Sequence, residues 1–532
     1  MGRVEKWVVA ATCVVLVVVF TNFFFRSVTL KHLDSVFLLE SSLSILEHGQ
    51  PTSATVSSWP DALKTLTLPV ETVCQSDLER KESSSYNLLD NHAYIALYPI
   101  SLLTALAGPE LTFTLLNALA HVLLLIIPFI FLRRQGGGLL PSLAFALCVA
   151  LYPPWSYSAV GDYYLDRLYM PFALLSLCFM HTLVSSGGKE TDRRLLAGFV
   201  GSTIMAALFT ERAAIMMLAE IVFFLILFPR ARKSTLTRNT LLLLLLLLGA
   251  YLFIYFRFVF KGIEGGGGLL NNAMVVLHNP GQRLQAPGLV PFVLVNLLCL
   301  GIFVPFAGFR YLALMIGALI PNLLISVGGA ELNGWSTHYH AMYLPFLIFG
   351  ASIGYLQLIR RFAAGLGRVT LPLMLGVYVF LVMGFLNPNT GKFEKHFADS
   401  YKNGVLGKIS VYYFAQRHSY ERNVSGILGS LDTLIPQGAK VSAIEGVMPA
   451  LYRSRSLSLY PIGMDSADYL VISGTASNGQ VTSVSGATSY LGPMQMEALN
   501  LCLSQRMIAN GFVLFKDLPS VGVLVFKRTQ GN

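Results

Sequence analysis

Apolar residues run from Trp7 to Phe25 behind a short basic head, Arg3 and Lys6. No small-residue cleavage site follows, so the run is expected to remain as a signal anchor. Further apolar runs lie near 109–132, 138–158, 168–185, 195–210, 213–228, 239–259, 289–307, 309–327, 341–359 and 369–387. A helix needs roughly 20 apolar residues to cross hydrocarbon, and several of these runs fall short of that, so their ends are soft. The pattern predicts a polytopic α-helical membrane protein of about eleven spans. The run 93–107 is short and carries Pro99, which assigns it to the interface or to a re-entrant segment. Charge agrees with that assignment. With the N-terminus inside, the cytoplasmic connections receive Arg133-Arg134, Lys189/Arg193/Arg194, Arg230/Arg232/Lys233/Arg238, Arg310 and Arg360/Arg361/Arg368. Counting 93–107 as a span would put all of them outside, against the positive-inside tendency.

The membrane domain therefore spans 1–387, with 26–108 as its first extracytoplasmic loop. Behind the first span, Leu33, Val36, Phe37, Leu43 and Leu46 recur at helical spacing until Gly49 and Pro51 stop the pattern. That reads as an amphipathic helix at the membrane surface. It would hold two carboxylates, Asp34 and Glu40, at the water–lipid boundary.

An odd number of spans puts the tail, 388–532, outside, and its composition is that of a soluble domain. Residues 424–434 read as a helix, 439–444, 456–460 and 468–473 as strands, about 495–509 as a helix, and FVLF with GVLVF as a final hairpin. Strands alternating with helices imply a small α/β layer domain. It carries no GxGxxG and no Walker loop.

Composition fits this picture: 54% hydrophobic and 12% charged residues, against about 25% charged in a soluble chain. The net charge of +10 needs no nucleic-acid partner, because basic cytoplasmic span ends beside anionic lipid account for it. The cysteines at 13, 74, 148, 178, 299 and 502 show no CxxC spacing, which argues against a zinc or redox motif. Cys74 and Cys502 are the two placed outside. Whether they pair depends on a distance that spacing leaves open.

The remaining charges gather where spans meet the outside. Asp162, Asp166 and Arg167 precede one span, Glu211-Arg212 lie at a short outer turn, and Glu331, Trp335, His338, Tyr339 and His340 precede another. Ionisable groups at membrane depth are costly and mark function. Each pair alone is equally explained as a solvated cap, and the convergence of the clusters on one face is what favours a site. His338 and His340, at i and i+2 with no accompanying carboxylates, read as aromatic interface residues in preference to metal ligands. The Gly265–Gly268 run reads as a linker.

Several short elements carry a resemblance. They are the acidic residue after the first span, Asn91-His92 … Tyr98-Pro99, Tyr339-His340 … Pro345-Phe346, and in the tail Ile435-Pro436 … Ala439-Lys440-Val441-Ser442-Ala443 … Arg455 … Ala467-Asp468-Tyr469. Together they resemble a prokaryotic membrane family catalogued as a domain of unknown function. Its layout is similar to that of the GT-C glycosyltransferases, which take sugar from a polyprenyl phosphate on the outer face. This chain departs from the family where Asp162-Tyr163-Tyr164 replaces an Asp-Phe-His element and Thr210-Glu211-Arg212 replaces Lys-Glu-Asp.

The resemblance implies a GT-C-like domain, a plasma-membrane location, a polyprenyl-phosphate-sugar donor, and a glycan, lipid or protein acceptor. The chemistry needs a carboxylate to deprotonate the acceptor hydroxyl and cations to hold the departing phosphate. Asp34 is the candidate base, with Glu40 second. Arg167 and Arg212 are the phosphate ligands, since a guanidinium fork matches phosphate oxygens. His92, Asp162, Asp166, Glu211, His338 and His340 complete the candidate substrate site. No cofactor is identified, and use of a divalent metal stays open. The rival readings are a transporter or flippase, which the near absence of charge within spans apart from Glu220 disfavours, and a non-catalytic envelope scaffold.

Overall fold

A computed structural model describes residues 3–26, 33–53, 69–75, 86–152, 163–185, 193–261, 296–325, 338–362, 429–445, 447–453, 456–477, 480–485 and 502–529, with a few isolated positions between them. The helices of the membrane half are α1 (Arg3–Arg26), α2 (Leu33–His48), α3 (Val70–Gln75), α4 (Leu97–Ala107), α5 (Pro109–Arg134), α6 (Leu139–Leu151), α7 (Leu165–Ser185), α8 (Arg193–Ala207), α9 (Glu211–Leu227), α10 (Thr235–Ile254), α11 (Phe309–Ile325) and α12 (Leu344–Phe362).

Among the described residues, three helices are long and apolar enough to cross a membrane: Pro109–Arg134, Leu165–Ser185 and Thr235–Val259. These residues do not confirm the expected count of eleven. The expected span 369–387 lies outside the described residues. The run 289–307 is no continuous helix where it is described. Leu300–Phe303 forms a 3₁₀ turn and Val304–Ala307 a single α turn, with Pro305 at its start and Gly308 at φ 96° closing it. The segment 93–107 is short as expected. Its helix α4 has 11 residues, about 16 Å at 1.5 Å per residue, half the depth of a bilayer core.

α7 is the centre of the bundle. It packs against α5, α8 and α12 and buries Leu168, Tyr169, Ala173, Leu174 and Leu177 along one side. Gly198 of α8 lets the ring of Phe179 come so close that a Cβ there would meet it at 2.8 Å. Three helices are also joined by buried polar side chains: Ser176 of α7 donates to Glu220 of α9 at 2.9 Å and pairs with Thr203 of α8 at 2.9 Å. α10 buries the stripe Thr237, Leu241, Leu244 and Leu248, while Leu242, Leu243, Leu246 and Leu247 face outward, as befits a helix at the lipid boundary.

α2 differs from the surface helix expected of its pattern. Val36, Leu38 and Leu39 are buried, and so are Ser35, Ser41 and Ser42. The small hydroxyl residues admit neighbours on the face that the apolar stripe does not cover. The helix therefore packs against α4, α5, the strand β1 (Thr52–Ser53) and the turn Met448–Ala450 of the tail. β1 pairs with β2 (Tyr86–Asn87), closing the first outer loop on itself.

The tail forms a mixed sheet of β3 (Lys440–Ala443), β4 (Ser456–Leu459), β5 (Tyr469–Ser477), β6 (Gln480–Ser485), β7 (Phe512–Leu518) and β8 (Val523–Arg528). The order is β4-β3-β5-β8-β7, with β6 also on β5. β3 runs parallel to β4 and β5, and the β7–β8 hairpin joins β5 antiparallel. The expected strands and hairpin are all present. β6 escaped notice because Gln480-Val-Thr-Ser-Val-Ser is polar enough to read as loop. Helix 502–509 packs Leu503 and Met507 into the core, and of the helix expected at 424–434 the described part is Leu431–Leu434.

The tail docks on the first outer loop. Cys74 and Cys502 form a disulfide with Cα atoms 6.0 Å apart, which answers the pairing that spacing left open. Beside it the Asp465 carboxylate accepts hydrogen bonds from Arg506, from Asn510 at 2.8 Å and from the Leu78 N–H at 3.0 Å. Gly463 N–H donates to the Leu78 carbonyl at 2.7 Å.

Candidate functional site

The outer turn between α8 and α9 is shaped by Thr210, whose hydroxyl caps α9 by accepting the Ala213 N–H at 3.1 Å. The cap orients the next two side chains. Glu211 turns toward the first outer loop: its carboxylate meets His92 Nδ1 at 3.0 Å and accepts the Ala93 N–H at 3.0 Å. Arg212 spans the gap between two carboxylates, with Nε 3.7 Å from Glu211 and Nη1 3.9 Å from Asp166. Glu211 precedes the apolar stretch of α9. Burial alone would raise its pKa, but His92, Arg212 and the Ala93 N–H overcome that and bring it down to about 2. A carboxylate so engaged positions its neighbours.

Asp166 and Arg167 open α7 and are both buried. The Arg167 guanidinium lies 4.9 Å from the centroid of the Tyr164 ring, a stacked setting that holds the charge in place. The preceding residue, Tyr163, ties this segment to two other elements. Its N–H donates to the Ser35 hydroxyl of α2 at 3.1 Å, and its own hydroxyl pairs with Thr114 of α5 at 2.6 Å. Ser35 follows Asp34, so the first turn of α2 abuts the strip that carries Asp166 and Arg167. The side chains of Asp34 and His338, and the whole of Asp162, lie outside the described residues.

Glu40 has a defined structural task. It accepts hydrogen bonds from the Ser53 hydroxyl at 2.5 Å, the Thr55 hydroxyl at 2.6 Å and the Thr55 N–H at 3.1 Å. It clasps the start of the outer loop against α2. His338 and His340 belong to a 3₁₀ turn, His338–Ala341. His340 is buried and meets the Tyr343 hydroxyl at 2.9 Å. This turn reaches the same helix as the acidic cluster, because Tyr169 of α7 donates to the Met342 carbonyl at 3.2 Å.

The structure thus joins His92, Glu211, Arg212 and Asp166 in one chain of contacts, with Arg167 and the first turn of α2 alongside. Among the described residues, no group of three His, Cys, Asp or Glu side chains could hold a metal ion. Sequence reasoning overlooked Asn117 and His121, buried on α5 next to Trp155, whose indole N–H donates to the His121 carbonyl at 3.1 Å. Their signal was present as polar residues at helical spacing in an otherwise apolar run.

No family model matches the chain, and no curated protein sequence does. Among solved structures it is similar to ArnT from Cupriavidus metallidurans, crystallised with undecaprenyl phosphate, at 12% sequence identity and a TM-score of 0.50. The match covers 99% of this chain and 98% of that one, so the likeness in fold takes in both the helical half and the C-terminal sheet.

Proposed function

We propose that this protein is an integral glycosyltransferase of the inner membrane that moves a sugar from a polyprenyl-phosphate donor to an acceptor on the extracytoplasmic face. The observation that carries the proposal is the cationic pair at the outer end of α7 and α9. Arg167 is stacked and buried, and Arg212 is braced between Asp166 and Glu211. Two guanidinium groups held by fixed carboxylates and an aromatic ring form a preorganised seat for a phosphate dianion. The likeness in fold to a protein crystallised with undecaprenyl phosphate supports the same choice of donor.

In this mechanism the acceptor hydroxyl attacks the anomeric carbon of the sugar. Asp34 takes the hydroxyl proton as the new C–O bond forms. The bond between the anomeric carbon and the phosphate oxygen breaks, and the phosphate leaves with the electron pair. Arg167 and Arg212 hold the developing charge. No general acid is required, because a phosphate is a good leaving group. His92 and Glu211 steady Arg212, and the turn that carries His340 packs on α7.

The test uses the protein in liposomes with undecaprenyl phosphate carrying a radiolabelled sugar and an envelope extract as acceptor. Transfer of label to the extract, with release of undecaprenyl phosphate, is the expected result. Movement of the labelled lipid across the bilayer without transfer would indicate a flippase, and neither event would leave a scaffold. Arg212→Gln is expected to weaken undecaprenyl phosphate binding by roughly 10–100-fold, the worth of a charge-assisted hydrogen bond, as read by titration in nanodiscs. The tail is assigned to the outside with the N-terminus in the cytoplasm, so a reporter that fluoresces only in cytoplasm should stay dark when fused after Asn532. Bright signal there would reverse the topology.

A further inference from the structure

α5 is an apolar helix with one polar interruption. Thr114, Asn117 and His121 recur at intervals of three and four, which sets them on one face. All three are buried. His121 stands roughly 18 Å along the helix from Pro109, so this face runs about halfway through a hydrocarbon core. Polar side chains persist at such depth when they are paired or when they serve a ligand.

Pairing accounts for most of them. Thr114 meets the Tyr163 hydroxyl at 2.6 Å, His121 Nδ1 meets the Asn117 carbonyl at 2.8 Å, and Asn117 Nδ2 donates to the Phe113 carbonyl at 3.0 Å. It does not account for Asn117 Oδ1. This oxygen is buried and receives no hydrogen bond among the described residues. An acceptor left so is costly, and the hydrogen bond of Nδ2 to Phe113 fixes which end of the amide points away from the helix.

The surroundings define what would satisfy it. The Trp155 ring lies 6.1 Å from the His121 ring, and its N–H bond to the His121 carbonyl locks its orientation. Phe20 of α1 meets the indole in a T-shaped contact, with ring centroids 5.9 Å apart. Thr114, on the same face of α5, bonds Tyr163, which lies one turn of chain before Arg167. An unsatisfied acceptor and a fixed aromatic surface thus share a helix face with a residue bonded to the segment that carries Arg167. A phosphate, which offers acceptors, cannot satisfy Oδ1. A hydroxylated ring can, through an O–H donor, while its C–H face lies against the indole.

We infer that Asn117, His121 and Trp155 form the sugar subsite, in which a hydroxyl of the donor's sugar ring donates to Asn117 Oδ1 and the ring lies against Trp155. The inference rests on the reading of the protein as a polyprenyl-phosphate-sugar transferase and adds to it the residues that read the sugar. Its test compares binding of undecaprenyl phosphate with that of undecaprenyl-phosphoglucose and undecaprenyl-phosphomannose in nanodiscs. Asn117→Leu should lower affinity for a sugar-bearing lipid by about 10-fold, the worth of the lost hydrogen bond, with affinity for the bare lipid unchanged. Asn117→Thr should recover it to within about 3-fold, because a threonine hydroxyl bonds back to the Phe113 carbonyl and still offers a lone pair. Equal affinities in wild type and Asn117→Leu would overturn the subsite, as would a loss shared by bare and sugar-bearing lipid. Wild-type protein that binds bare lipid no less tightly than either sugar lipid would also overturn the subsite. Wild-type protein that binds none of the three lipids would instead remove the donor assignment, and the subsite with it.

Discussion

Asp34→Asn is expected to lower turnover by roughly 10²–10⁴-fold, the usual worth of a positioned general base. Asp34 lies in the first turn of α2, next to the residue that accepts the Tyr163 N–H. That places its backbone beside the strip that carries Asp166 and Arg167, the latter proposed above to hold the phosphate. The first turn of a helix accepts Asn nearly as well as Asp, so melting temperature and expression should change little. Undecaprenyl phosphate binding should also survive, because the phosphate is assigned to Arg167 and Arg212. Single-turnover transfer of labelled sugar, run beside a lipid-binding titration, separates these effects. A variant that folds normally and transfers at the wild-type rate would remove Asp34 from the mechanism. Glu40 would then be the remaining carboxylate of the pair, although its hydrogen bonds to Ser53 and Thr55 give it a structural task already.

Replacing both Cys74 and Cys502 by Ser is expected to cost the outer domain about 2–5 kcal/mol. The disulfide closes a segment with a sequence separation of 428. Most of that segment lies in the membrane half, so the bond is what covalently ties the tail to the first outer loop. The Asp465–Arg506 pair and the Leu78 N–H share the junction and should keep the tail folded but more readily detached. Limited proteolysis should therefore release the tail from the double variant sooner than from the wild type. Non-reducing peptide mapping of the wild type should recover the two cysteines as one linked species, and recovery of both as alkylated thiols would overturn the assignment.

Much of the candidate site was legible as separate pieces. Asp166-Arg167, Glu211-Arg212 and His92 stood out because charge is costly near apolar runs. Their partnership was not legible. His92 and Glu211 are separated by 119 residues, and no local pattern reports a contact made across the intervening helices α4 to α8. The overlooked residues failed for the opposite reason. Asn117 and His121 carry no charge at neutral pH in a strongly apolar run, so hydropathy averaged them away, and burial was needed to single them out. Glu40 stood second to Asp34 as candidate base in the sequence, and only the folded loop, with β1 on β2, shows Ser53 and Thr55 on its carboxylate.

The sequence alone determined the things that depend on short range. Periodicity and composition set an apolar helical half and a C-terminal α/β tail, because a run of apolar side chains either meets lipid or does not. Short apolar and β-branched runs in the tail set β3, β4, β5 and the β7–β8 hairpin, because a strand shows its burial within a few residues, as the consecutive buried residues of β3, β4 and β8 do. Tertiary structure decided the rest. It broke the run 289–307 at Pro305 and Gly308, buried α2 between the membrane half and the tail, and joined Cys74 to Cys502. It also set Arg212 between Asp166 and Glu211. Each of these is fixed by which surfaces meet. Shape and burial are properties of the packed chain, and the pattern of residues along it carries them only indirectly.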